Sequence, residues 1–130
     1  MRVVRSTGSN SNQLYTVYNN GGAWVGSAVG GKHAHDDGRW HHLAVVYDAS
    51  AHTYSVYVDR SPTYTKTGVT IGSAEAEISP MTIGGRYSGG SYSRFFDGAI
   101  DAFRFTKTAL GPDDFLRRSK GANGLIVIFK

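Results

Sequence analysis

"RWHHLAVVYDASAHTYSVYVDR", residues Arg39 to Arg60, decides how this 130-residue chain is read. It holds two runs rich in β-branched and aromatic residues, separated by the polar step Ala49 to His52, and so predicts a β-hairpin. With side chains alternating across a strand, Trp40, His42, Ala44 and Val46 share one face, and His41, Leu43, Val45 and Tyr47 the other. Both faces carry apolar residues, which predicts a strand in mid-sheet, covered on both sides by other layers. The next run sets Tyr54, Val56 and Val58 against Thr53, Ser55 and Asp59, the pattern of a half-solvated strand.

Upstream, "LYTVYNNGGAWVGSAV" is two further alternating runs split by Asn19-Asn20-Gly21-Gly22, a second hairpin signal. Downstream, "SPMTIGGRY" predicts a short strand with Met81 and Ile83 in phase. "FFDGAIDAFRFTKTAL" predicts a long strand in which Ile100 is out of phase with Phe103 and Phe105, so a β-bulge is expected near Asp101 and Ala102. "GPDDFLRRS" is the one helical signal, with Pro112 at its first position, Asp113 and Asp114 at the positive end of the dipole and Arg117 and Arg118 at the negative end, about two turns in all. Leu125 to Phe129 has the composition of a buried strand and needs a cover.

Seventeen glycines, eight tyrosines and only three prolines suit an all-β chain with many tight turns. The length predicts one domain spanning 1–130. A net charge of +4 comes from cations scattered singly, with Arg117 and Arg118 the adjacent pair, so nothing points to nucleic acid. No stretch is long and apolar enough to span a membrane, and "MRVVRSTGSN" shows no apolar leader. The absence of cysteine excludes disulfides, thiolate catalysis and cysteine-based zinc sites.

"DGRWHHLAVVYD", "YSVYVDR", "PMTIGG" and "FFDGAIDAFRFTKTALGPDDFL" follow one another in the order and spacing of laminin-G-like jelly rolls, within the concanavalin A-like lectin/glucanase superfamily. The resemblance runs from about Arg2 to about Arg118. It implies an antiparallel β-sandwich with one short C-terminal helix, to which 119–130 adds a strand. It also implies a non-catalytic module that binds a glycan or a protein surface, in an extracellular or cell-surface setting. Two departures stand out: the family's opening strands have no counterpart before "RVVR", and Arg60 replaces the glycine that normally follows "YVD", which predicts another turn type. Uncovered edges would be hidden by the C-terminal run, by a second copy in a homodimer or by residues upstream of this sequence, the C-terminal run being the expected cover.

Candidate sites follow from side-chain chemistry. In "GGRYSGGSYS", Arg86, Tyr87, Tyr92 and Arg94 interleave aromatic faces and hydrogen-bond donors on glycine hinges, chemistry suited to sugar rings or anionic groups. Trp24, with Tyr18 nearby, is a second candidate platform. Asp97 and Asp101 are the calcium candidates that the resemblance implies, although calcium takes six to eight oxygen ligands. His33-x-His35-x-Asp37 begins a zinc-hydrolase pattern that Gly38 breaks, and it reads as a polar loop. His41 and His42, adjacent on a strand, point to opposite faces and cannot share an ion. Glu75 and Glu77 lack the third acid of the alternating motif found in glycoside hydrolases of this fold, so enzymatic cleavage ranks below binding and below an assembly role.

Overall fold

The computed structural model describes residues 2–5 (backbone only), 14–30, 37–71, 82–93, 95–96 and 98–116. Its strands form antiparallel sheets. β1 (Arg2–Arg5), β2 (Leu14–Asn20) and β3 (Ala23–Val29) make one sheet, and β4 (Leu43–Asp48), β5 (Thr53–Val58) and β6 (Ser61–Thr67) a second, each in sequence order. A small hairpin follows, β7 (Arg86–Ser88) and β8 (Ser91–Ser93), and a single 3-10 turn closes the described chain at Pro112–Asp114.

The β2–β3 turn is the one its sequence demands. Asn20 pairs with Ala23, leaving Gly21 and Gly22 as a two-residue loop with φ of 57° and 96°, angles that residues with a Cβ adopt only under strain. Asn19 Oδ1 accepts the Gly22 N–H at 2.8 Å. In the second sheet, Asp48 Oδ1 accepts the N–H groups of Ser50 and Ala51 and so closes the β4–β5 turn. Residues 69–71 bridge the two hairpins: Thr70 takes a bond at each backbone group from the Asn20–Gly21 turn, and Val69 N–H donates to His52 O.

The two sheets pack face to face into a sandwich. Tyr18 and Val29 from the first meet Leu43, Val45, Tyr54, Val56 and Val58 from the second, with Val69 closing one side. Tyr18 stacks on Tyr54 at 4.2 Å between ring centroids, and the Tyr54 hydroxyl pairs with that of buried Thr16. Burial, with Tyr64 alongside, pushes the Tyr18 phenol up to about 12, and burial raises Tyr54 as well, so both stay neutral across the ordinary pH range. Removing such side chains from water stabilises the fold by roughly 1.5–3 kcal/mol each.

The opposite face of β4 is also covered, as its two apolar faces predict, but β4 is an outer strand of its described sheet and not the mid-sheet strand expected; β5 holds that place. Ala44 and Val46 pack with Phe115, and Tyr57, Ala109, Leu110 and Leu116 surround them. Phe115 meets the Tyr57 ring edge-on at 5.1 Å and stacks on His42 at 5.5 Å. Its insertion ends the helical turn early: Phe115 has an extended backbone (φ −63°, ψ 150°), so the structure shows one 3-10 turn where two helical turns were expected, with residues 117–120 outside the described set.

Three other expectations need correction. The strand expected to be half solvated is β5, which lies between β4 and β6; Ser55 is buried and bonded to Thr65 Oγ1, so its polar face meets protein. β6 carries no apolar alternation, and Pro62 sits in it where the ladder shifts between Val56 and Tyr57, a place that needs no N–H. The long strand and the bulge expected near Asp101 and Ala102 do not form: residues 98–111 are irregular, because no described strand runs beside them. Ile83 likewise lies in a bend, while Met81 and the run Leu125 to Phe129 fall outside the described residues.

The turn at Asp59 and Arg60 refines one expectation. Val58 pairs with Ser61, and Asp59 and Arg60 both carry positive φ, 50° and 69°, so the chain makes a left-handed two-residue turn without glycine. Side-chain anchors hold it there. Arg60 Nε donates to Pro112 O at 2.9 Å and Nη2 to Asp113 Oδ1 at 2.8 Å, tying the turn to the 3-10 segment.

Candidate binding surfaces

The β7–β8 hairpin is built by its glycines. Ser88 pairs with Ser91 across Gly89 and Gly90, whose φ of 59° and 80° give the tight turn. Tyr87 and Tyr92 are directly opposed in the ladder and therefore share a face; their rings lie 5.0 Å apart, tilted at 58°. Tyr92 is 60 % exposed. Arg86 lies on the other face, where Nη2 donates to Ser88 Oγ at 3.1 Å. The four-residue cluster expected from sequence is thus divided: the tyrosines come together, Arg86 faces away, and Arg94 lies outside the described residues.

Apolar side chains surround the base of this hairpin. Phe96 N–H donates to Gly84 O at 2.7 Å, and a Cβ on Gly85 would approach the Phe95 ring to 3.4 Å. Phe95 is nevertheless 73 % exposed, and Ile83 and Phe96 are exposed too. Two tyrosine rings on a tight turn offer flat, amphipathic contact area with hydroxyls at the edge, and the phenylalanines beside them offer purely apolar contact.

The second platform differs from its expected form. Tyr18 is buried in the core, whereas Trp24 is 69 % exposed on the outer face of β3, opposite Asn19. The residue that shares this face is Tyr15. Its register places it with Val17, Asn19, Trp24, Gly26 and Ala28, and its ring lies over Gly26, where a Cβ would come within 2.6 Å of it. Sequence reading missed Tyr15, although glycine inside a strand is the signal of such a close approach.

The ionisable candidates separate in the same way. Asp101 is exposed, Asp97 lies outside the described residues, and no group of three or more histidine or carboxylate side chains is placed to hold a metal ion among the described residues. His33, His35, Glu75 and Glu77 also lie outside the described residues. Asp37 is engaged locally, by the His41 ring and by the Arg39 N–H.

Antiparallel strands in this order and a core shared by two sheets agree with a sequence match that covers residues 3–114, to the profile described as the concanavalin A-like lectin/glucanases superfamily, laminin G type. The chain belongs to that superfamily. No curated protein and no solved structure gives a significant match. Membership accounts for the jelly-roll-like, all-β sandwich, and domains of this superfamily often bind carbohydrate or protein.

Proposed function

We propose that this superfamily member is a non-catalytic recognition module that binds carbohydrate, with Tyr87 and Tyr92 as its principal contact. The observation that carries this reading is the paired, partly exposed tyrosine rings at the tip of a glycine-turned hairpin. Sugar rings present C–H faces that pack on aromatic planes and hydroxyls that need polar edges, and tyrosine supplies both. Trp24 with Tyr15 forms a secondary aromatic face. An extracellular or cell-surface setting belongs to the same reading.

A glycan array compares the wild-type chain with a Tyr87→Ala/Tyr92→Ala double variant. Retained glycans should bind the variant at least about tenfold more weakly, a loss of roughly 1.4 kcal/mol. Unchanged binding would remove the hairpin from the site.

A second reading, association with another protein or another copy of the chain, is favoured by a separate observation. Ile83, Phe95, Phe96 and Phe105 are large apolar residues left exposed among the described residues. Sedimentation over a range of concentrations distinguishes the two readings.

A further inference from the structure

The polar stretch ahead of β4 contains a device that neither reading uses. His41 sits between two carboxylates: Nδ1 lies 2.7 Å from Asp59 Oδ2, and Nε2 lies 2.9 Å from Asp37 Oδ1. The two acids come from different elements, Asp37 from the turn before β4 and Asp59 from the β5–β6 turn. Asp59 is fixed independently, because its Oδ1 accepts the His42 N–H at 2.9 Å and its own N–H donates to His42 O at 2.8 Å. Asp37 is held more loosely, by the Arg39 N–H at 2.9 Å and by Arg39 Nε at 3.7 Å.

An ionised carboxylate only accepts hydrogen bonds, so each of these contacts requires an N–H on the imidazole. A neutral ring has one N–H and would present a lone pair to the other carboxylate. Only the imidazolium satisfies both. We propose that His41 is a pH-operated latch: protonated, it ties the Asp37–Trp40 turn to the β5–β6 turn, and on losing its proton it keeps Asp59 and releases Asp37.

Among the described residues, the charged groups placed around His41 are Asp37, with Arg39 behind it, on the preceding turn and Asp59 on the β5–β6 turn. Arg60 is drawn away by Pro112 O and Asp113. The hydrogen bond to Asp59, with that to Asp37, raises the His41 pKa above its ordinary 6.5 against the opposing effect of burial, and the His41 bond in turn holds Asp37 below the usual carboxylate range. A base whose folded pKa is raised stabilises the fold fully below its unfolded value and loses that contribution as pH rises through the folded value. The latch is therefore closed in mildly acidic solution and opens towards alkaline pH. His42 runs the other way: burial lowers its pKa, so its neutral form stabilises the fold and that contribution is lost on acidification.

A pH titration by NMR, following the His41 ring nitrogens and the Arg39 amide of the full chain, tests the latch. His41 should titrate above 6.5, with both ring nitrogens protonated on the acid side. The Arg39 amide should shift with the same midpoint, and Asp37→Asn, a change on an exposed turn, should lower that midpoint. A His41 midpoint at or below 6.5, an Arg39 amide that ignores it, or a midpoint unmoved by Asp37→Asn would each overturn the proposal. If Asp37→Asn fails to fold, the wild-type midpoint and the Arg39 amide still decide.

Discussion

Residues 14–71 and residues 82–106 are both rich in aromatic side chains, and each holds a hairpin that turns on a pair of glycines. In the first region that composition becomes burial: Tyr18, Val45, Tyr54 and Val56 are each at most 1 % exposed, between two sheets whose strands supply one another's ladders. In the second, Ile83, Phe95, Phe96 and Phe105 stay exposed, and the strands among the described residues are the two three-residue strands of one hairpin. The difference lies in partners. A strand needs a neighbour to satisfy its backbone before its side chains can be packed, and no described strand lies beside residues 98–106. One region is thus a scaffold, and the other a surface from which recognition can be built.

The sharpest way to break this contrast is to cut the shared core. Tyr54→Ala removes a ring stacked on Tyr18 and the partner of the buried Thr16 hydroxyl, and should cost about 3–5 kcal/mol in a denaturant melt. Phe95→Ser, an equally drastic change of side chain, should move stability by less than about 0.5 kcal/mol, because the ring is already in water. Its readout is sedimentation: weaker self-association in Phe95→Ser would support the association reading, and no change would leave the phenylalanines without that role. A Phe95→Ser loss comparable to that of Tyr54→Ala would show that the two regions do not differ as described.

The scaffold was legible where local rules agree with tertiary ones. The two-faced pattern from Trp40 to Tyr47 predicted a mid-sheet strand covered on both sides; sheet packing on one face and Phe115 on the other fulfil the covering, whereas the strand starts only at Leu43 and lies at the outside of its described sheet. Asn19 to Gly22 announced their turn because left-handed backbone is cheapest for glycine. β6 was missed because Ser, Thr and Pro62 carry no hydrophobic period; an edge strand gains its order from its neighbour's backbone.

The missing glycine marked the Asp59–Arg60 turn as unusual, but not what holds it: distant anchors at Pro112 and Asp113 fix Arg60 at its positive φ. Contacts 52 and 53 residues away leave no local trace. The candidate site was half legible. Aromatic content and glycine hinges marked the hairpin, but only the register showed that Tyr87 and Tyr92 share a face and Arg86 does not. The histidine-rich approach to β4 drew attention as a ligand cluster, and its described part is an acid–histidine–acid bridge between two turns.

The most direct test of the account is an NMR titration of the wild-type chain with a glycan retained on the array. The account predicts that amide shifts concentrate at 86–93, around the Tyr87–Tyr92 pair, while β4 and β5 stay still. Shifts centred on β4 and β5, or a glycan that binds without moving 86–93, would contradict it.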